Sequence, residues 1–338
     1  MEESTKRLYP LRFDEKEAEM PWGNVSYHIA DLGSIDSMLV EGWFGGNTIS
    51  ELMGTYLERV VGDDAFEYYG LQFPILVKVI RTTGMQPLQV NVGDREAEER
   101  YDSFGKTAFW YIKEAAKDSV LYLGLNTDVE SGEFYGRCHD GSVTRILNEI
   151  HPKAGDSFVI KPGTVFAAGP GLTIVEISEC SELSLDLETE LEEAFDLIDF
   201  HQFESPSEGT DLSETVDTPG QVRGGTLAEC DEFKVTRFDL RDPIHIFSDQ
   251  PGSFAIYHCI SGEAFIQAPD DSGNFGNWHL RQGRSILVPS EVNDYIVYPV
   301  SDGTVLLEAT VERRMTPDSY IGDAPEGEAP DPHVRQWK

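Results

Sequence analysis

The feature that most constrains the fold of this chain is a strand-turn unit that occurs twice. Its first copy is Gly155-Asp156-Ser157-Phe158-Val159-Ile160-Lys161-Pro162-Gly163-Thr164-Val165-Phe166, running on to Gly169-Pro170-Gly171. A short apolar strand stands between two turn signals, Gly155-Asp156 and Lys161-Pro162-Gly163. Adjacent Pro and Gly mark a tight turn, because Pro holds φ near −65° and Gly tolerates positive φ. The segment from Leu172 to Ile177 is rich in β-branched residues and reads as the next strand. Phe166 falls just past the turn, where it can point into whatever the sheet encloses. Near the C-terminus, Gly283-Arg284-Ser285-Ile286-Leu287-Val288-Pro289-Ser290-Glu291-Val292-Asn293-Asp294 has the same shape, followed by a strand from Tyr295 to Tyr298. Two copies of one β unit predict two related β domains.

A chain of 338 residues is long enough for each domain to bury its own core. No apolar run approaches the ~18 residues that span a bilayer, and Met1 to Arg7 lack the apolar stretch of a signal peptide. The expected location is therefore cytoplasmic. The four cysteines, Cys138, Cys180, Cys230 and Cys259, are widely spaced and form no CxxC pair. That spacing argues against a disulfide framework or a thiolate zinc site and predicts free thiols. The net charge of −35 repels phosphate backbones and anionic membrane surfaces, so neither a nucleic acid nor a membrane is an expected partner. A small anionic substrate requires local convergence of a few basic residues.

Along the chain, Leu8, Tyr9, Leu11 and Phe13 suggest an edge strand, and Val25–Ala30 and Ser37–Phe44 read as strands. Thr48 or Ser50 caps a helix whose apolar face is Ile49, Leu52, Met53, Tyr56, Leu57 and Val60, and Gly62 ends it. Phe73–Ile80 and Pro87–Val92 are strands. In the second, Gln89 and Asn91 share one face and Leu88, Val90 and Val92 the other; pattern alone leaves open which face is inside. Glu96–Tyr101 is a short charged helix. Gly105-Lys106-Thr107 is not a phosphate loop, since Arg100 stands where that motif needs Gly and a strand, Ala108–Ile112, follows. Ser119–Leu125 is a strand, Ser142–Ile150 a short helix and Leu187–Ile198 an acidic helix.

Residues 204–220 have the composition of a linker. Short strands resume at Phe233–Phe238, Phe254–Ile260, Ala264–Gln267, Ser285–Val288, Tyr295–Tyr298 and Val305–Thr310. The expected domains are 1–203 and 221–312, with an acidic, Pro-rich tail over 313–338.

Trp22-Gly23, Glu41-Gly42-Trp43, Phe73-Pro74-Ile75-Leu76-Val77-Lys78, Pro87-Leu88-Gln89-Val90, Gly105-Lys106-Thr107, Trp110-Tyr111-Ile112 and Gly155–Ile177 occur in an order and spacing that form a specific set. Together they resemble the class I mannose-6-phosphate isomerases of the short bacterial type, over roughly residues 20–310 and most strongly over 70–180. The resemblance implies a mainly β protein with two jelly-roll cupin domains, a bicupin, and a few short helices. It also implies a zinc ion in the first cupin, held by a Gln-x-His pair, a Glu after Gly-Lys-Thr and a second His past the Pro-Gly turn. A Lys two residues before the Glu positions the substrate, and a later Arg assists.

Transferred to this chain, the Gln is Gln89, the first His is Asn91, the Glu is Ala108, the second His is Phe166 and the Arg falls near Asp186. Lys106 is kept. Zinc requires three or four N, S or carboxylate donors, which these residues do not supply. The second domain offers no replacement: its turn carries Glu291 and Asp294, and His258 and His279 read as isolated structural or solvated residues. The expectation is a divergent, catalytically inactive homologue without a metal cofactor. Two versions stay open: a sugar or sugar-phosphate pocket built from Gln89, Asn91, Lys106 and Trp110, or a collapsed cavity serving as a scaffold. Two further alternatives are an active aldose–ketose isomerase using Asp156, Glu176, Glu179 or His151, with solvent exposure the ordinary fate of Glu176 and Glu179, and a sugar-responsive regulatory protein acting through a partner.

Overall fold

The computed structural model describes residues 6–203, 223–247 and 252–311. The expected linker, 204–220, and tail, 313–338, lie outside the described residues. The first half carries β1 (Lys16–Met20), β2 (Gly23–Ile29), β3 (Ile75–Thr82), β4 (Gln89–Asn91), β5 (Ala108–Ala115), β6 (Leu121–Leu125), β7 (Leu147–Ile150), β8 (Ser157–Ile160), β9 (Val165–Ala168), β10 (Leu172–Glu179) and β11 (Ser184–Asp186). They form two facing sheets, ordered β1-β2-β3-β10-β5-β8 and β11-β4-β9-β6-β7. The second half carries β12 (Arg223–Glu229), β13 (Lys234–Leu240), β14 (Ile244–Phe247), β15 (Ala255–Ser261), β16 (Glu263–Pro269), β17 (Phe275–Arg281), β18 (Ser285–Val288), β19 (Asp294–Pro299) and β20 (Thr304–Thr310). Their orders are β12-β13-β20-β15-β18 and β14-β19-β16-β17. Every ladder in both halves is antiparallel, so the chain is a pair of jelly-roll cupin barrels.

The internal repeat is real but its register differs from the sequence reading. The order β2-β3-β10-β5-β8 matches β12-β13-β20-β15-β18 strand for strand. The two repeated motifs therefore do correspond, as β8 and β18. The strand after each turn corresponds as β9 with β19, so Leu172–Ile177 is equivalent to β20 and not to Tyr295–Tyr298.

Strands β3 and β10 are buried on both faces apart from Arg81, which is why both are rich in apolar residues. One face meets the interior of the first barrel. The other, with Val77, Val79, Phe109, Tyr111, Val175 and Ile177, shares a core with Phe233, Val235, Phe254, Tyr257 and Leu306 of the second half. Backbone bonds add to this junction: Leu11 and Leu287 exchange N–H···O bonds at 2.7 and 3.0 Å, and Ser290 N–H donates to Val60 O at 2.9 Å. Glu291 pairs with Arg59 across it.

Thr48 caps α1 (Ile49–Tyr56) in a reciprocal capping box with Glu51. The expected helix to Gly62 breaks at Leu57, where φ is 51°, and resumes as α2 (Glu58–Val61), with α3 (Asp63–Tyr69) after it. The break lets both Val60 and Val61 enter the shared core. Further helices are α4 (Asp94–Tyr101), α5 (Ser131–Asp140) and α6 (Leu191–Ala194). The sequence reading missed α5, which buries a single large apolar side chain, Phe134, and so has little periodic signal.

Other local expectations are corrected. Ser142–Ile150 is a 3₁₀ turn, Val143–Ile146, followed by β7, because Leu147 and Ile150 pair with β6. The acidic helix over Leu187–Ile198 shortens to α6 and a 3₁₀ turn, Phe195–Leu197. Ser37–Phe44 and residues 8–13 make isolated bridges and no strand; Gly42, at φ 71°, folds the first of them back. All four cysteines are free, as expected.

Candidate functional site

Strand register builds the site. Tyr27 on β2 lies opposite Lys78 on β3, Lys78 opposite Glu176 on β10, Glu176 opposite Trp110 on β5, and Trp110 opposite Phe158 on β8. Cross-strand partners share a face. This row therefore crosses the inner face of the six-stranded sheet. On the facing sheet, Gln89 lies opposite Phe166, and Phe166 opposite Leu123. The Phe166 ring meets Trp110 edge-on, with centroids 5.4 Å apart. Gln89 and Asn91 thus face inward, which settles the alternation the sequence left open. Val90 and Val92 face outward, against Ala97 of α4, Phe134 of α5 and Ala194 of α6.

Four charged side chains converge at the end of this row. Lys78 Nζ is 3.2 Å from Glu176 Oε1 and 2.7 Å from Glu182 Oε1. Lys106 Nζ is 3.3 Å from Glu176 Oε1 and 3.0 Å from Glu182 Oε2. Trp110 Nε1–H donates to Glu176 Oε2 at 2.7 Å. Lys78, Lys106 and Glu176 are buried, while the Glu182 side chain keeps 36% of its surface exposed. The formal charges sum to zero. Burial alone pushes the Glu176 carboxyl up, but Lys106 and Lys78 outweigh it and hold the group below the usual carboxylate range. Glu182 is held down by the same two ammonium groups against its own desolvation. Desolvation pulls Lys78 down, and the two carboxylates more than reverse it, so its ammonium is held above its ordinary value. Burial, and then Glu182, pushes Tyr27 up.

Of the residues singled out from sequence, Asn91, Lys106, Ala108, Trp110 and Phe166 are all buried in this interior and Gln89 is half-buried. Asn91 Oδ1 accepts from Ser184 Oγ at 2.7 Å; among the described residues its Nδ2 has no acceptor. Asp186 sits opposite Gln89 on the edge strand β11, where its carboxylate accepts the Glu188 N–H at 2.7 Å. It supplies no cation to the quartet. Asp156 accepts the Lys153 N–H in the turn before β8, and His151 is 63% exposed; neither enters the barrel.

Glu176 and Glu179 are both buried, contrary to their expected exposure, because β10 is the sheet's central strand. Glu179 Oε2 accepts the Thr107 N–H at 2.9 Å and lies with Asp94 and Glu232 in a group whose oxygens fall within 4.8 Å of one another. Lys78 and Glu182 received no role from sequence. A usable signal was Lys78 within the apolar run of β3 facing Glu176 within that of β10; Glu182 lies in a loop and has no such mark.

Beside the quartet an open cleft of about 890 Å³ is lined by Tyr27, Asp31, Ser50, Gln72, Ser103 and Glu182, among others. In the second half, His258 does not stand alone. Its Nδ1 is 2.9 Å from Ser285 Oγ, which lies 3.2 Å from Nδ1 of His28 in the first half. His279 is bound to Glu263 and Asp294 to His245.

Mannose-6-phosphate isomerase ManA of Bacillus subtilis is 25% identical over 273 residues, covering 77% of this chain and 81% of the relative. The crystal structure of mannose 6-phosphate isomerase from Bacillus subtilis superposes with a TM-score of 0.74 at 18% identity, covering 89% of this chain and 99% of that one. The chain thus resembles mannose-6-phosphate isomerases in sequence and shares their fold. The probable mannose-6-phosphate isomerase GmuF of Bacillus subtilis is 32% identical over 136 residues, which is 39% of this chain and 42% of that relative. A putative mannosephosphate isomerase from Archaeoglobus fulgidus has the same fold, with a TM-score of 0.74 at 19% identity over 91% of this chain and 99% of that one. No family model matches the sequence. Among the described residues no helix is long and apolar enough to cross a membrane.

Proposed function

We propose that this protein binds a sugar in its first barrel without zinc-dependent isomerase activity. The observation that carries this reading is the donor set at the positions the resemblance assigns to the metal. Gln89 and Asn91 offer neutral amides, Ala108 a methyl group and Phe166 a ring packed edge-on against Trp110. No imidazole or carboxylate stands among them, so the residues do not fit a zinc ion. The nearby carboxylate, Glu176, is bonded to Trp110 and to both lysines.

An aldose–ketose isomerase using Glu176 as a metal-free base has less support. A general base works best with a pKa near the operating pH, whereas Lys106 and Lys78 hold this carboxylate lower than usual. The test is a coupled assay of mannose 6-phosphate conversion with zinc, manganese or cobalt added and metal content read on the same sample. The expected result is no turnover and substoichiometric metal. Turnover that a chelator abolishes, with one metal per chain, would overturn the reading.

A further inference from the structure

We propose that the cleft beside Glu182 takes an uncharged monosaccharide and discriminates against its phosphate ester. This rests on the reading that the protein keeps a sugar-binding role. The cleft, about 890 Å³, has room for a hexose. None of its lining residues is a Lys, Arg or His, and two are carboxylates, Asp31 and Glu182. The nearby cations, Lys78 and Lys106, are each bonded to Glu182 and to Glu176, so the quartet presents no net positive charge to an entering anion.

Hydrogen-bond polarity points the same way. The Ser103 hydroxyl donates to Phe104 O, the Ser181 hydroxyl to Phe104 O, the Tyr101 hydroxyl to Glu193 and the Gln72 amide N–H to Cys180 O. These groups have directed their donors into the protein. What they and the two carboxylates present to the cleft is remaining lone pairs, those of Asp31 shared with Ser50 Oγ and the Phe73 N–H and those of Glu182 with Lys78 and Lys106. A sugar hydroxyl can donate to such a surface. A phosphate dianion has only acceptor oxygens and needs N–H donors or cations. The whole-chain charge of −35 adds a repulsive field against an anion. Tyr27, Tyr101 and Leu71 supply apolar surface for the C–H face of a sugar ring.

The experiment is isothermal titration of the full chain with D-mannose, D-glucose and D-fructose and with the 6-phosphate of each. It is repeated on Gly54→Leu. Gly54 lines the cleft inside α1, and a Cβ built there meets no atom within 4 Å. The substitution therefore sets a bulky side chain on the cleft wall without a clash, while favouring the helix. The expected result is binding of at least one free sugar about tenfold or more tighter than its 6-phosphate, abolished in Gly54→Leu at an undiminished melting temperature. The proposal is overturned if none of the three free sugars binds, if a 6-phosphate binds as tightly as its free sugar, or if Gly54→Leu binds normally. Failure of the underlying reading has a different signature, chelator-sensitive turnover in the coupled assay.

Discussion

Glu176→Gln isolates the charge of the buried quartet. Glutamine keeps the shape, and its Oε1 can still accept from Trp110 Nε1. The change removes one negative charge placed 3.2 Å from Lys78 Nζ and 3.3 Å from Lys106 Nζ. At an effective dielectric of about 20, each contact carries roughly 5 kcal/mol of Coulomb attraction. Glu182 remains bonded to both lysines and offsets one ammonium, so the variant holds about one uncompensated buried charge. Breaking a buried pair from one side costs about 3–5 kcal/mol. The expected loss in urea unfolding, followed by tryptophan fluorescence, is of that size with an unchanged m-value. Adding Lys78→Met restores neutrality and replaces the ammonium with apolar surface. The double variant should regain most of the loss, because the two side chains are directly coupled. A Glu176→Gln variant within about 0.5 kcal/mol of the parent, or a double variant no more stable than Glu176→Gln, would refute the argument that charge balance holds this interior together.

The His28–His258 pair should make the junction between the halves acid-sensitive. Burial, then Arg284, Arg81 and Lys113, lowers His28 to about 3, and burial, then His28 and Lys113, lowers His258. Glu15, which pairs with Arg284, lies 3.5 Å from His28 Nδ1 as the facing carboxylate. An unfolded histidine titrates near 6.5. Between about 6.5 and about 3 the unfolded state therefore binds more protons, and stability falls as the pH is lowered through that window. The slope is up to about 1.4 kcal/mol per pH unit for each histidine. Urea midpoints at pH 7.5 and 5 should diverge, and less so in His28→Asn; equal divergence in the two proteins would contradict this account. Gly163→Ala should cost about 1–3 kcal/mol, since φ there is +81° and a Cβ would meet Leu197 O at 2.9 Å. Gly33→Ala, at φ +73° with open space around it, should cost less than Gly163→Ala in the same thermal or urea melt.

Much of this protein is determined locally. Gly163 and the preceding Pro162 specify their turn whatever surrounds them, because φ is a property of the residue. Thr48 with Glu51 starts α1 by the same logic, and the apolar residues of β3 and β10 announce strands. That Ala108 and Phe166 carry no donor atom is likewise a property of the residues themselves.

Tertiary structure decided the rest. Whether Gln89 and Asn91 face inward depends on the pairing of β4 with β9, and a shift of one residue would turn them out. The helix expected over Ser142–Ile150 became β7 because a vacant strand edge on β6 accepted it. The charge quartet depends on β10 entering between β3 and β5 and on a loop returning Glu182 to the barrel mouth. Lys78 and Glu182 are 104 positions apart, and no local rule relates them. A lysine can be buried in an apolar strand only if distant carboxylates meet it, and only the folded chain brings them together.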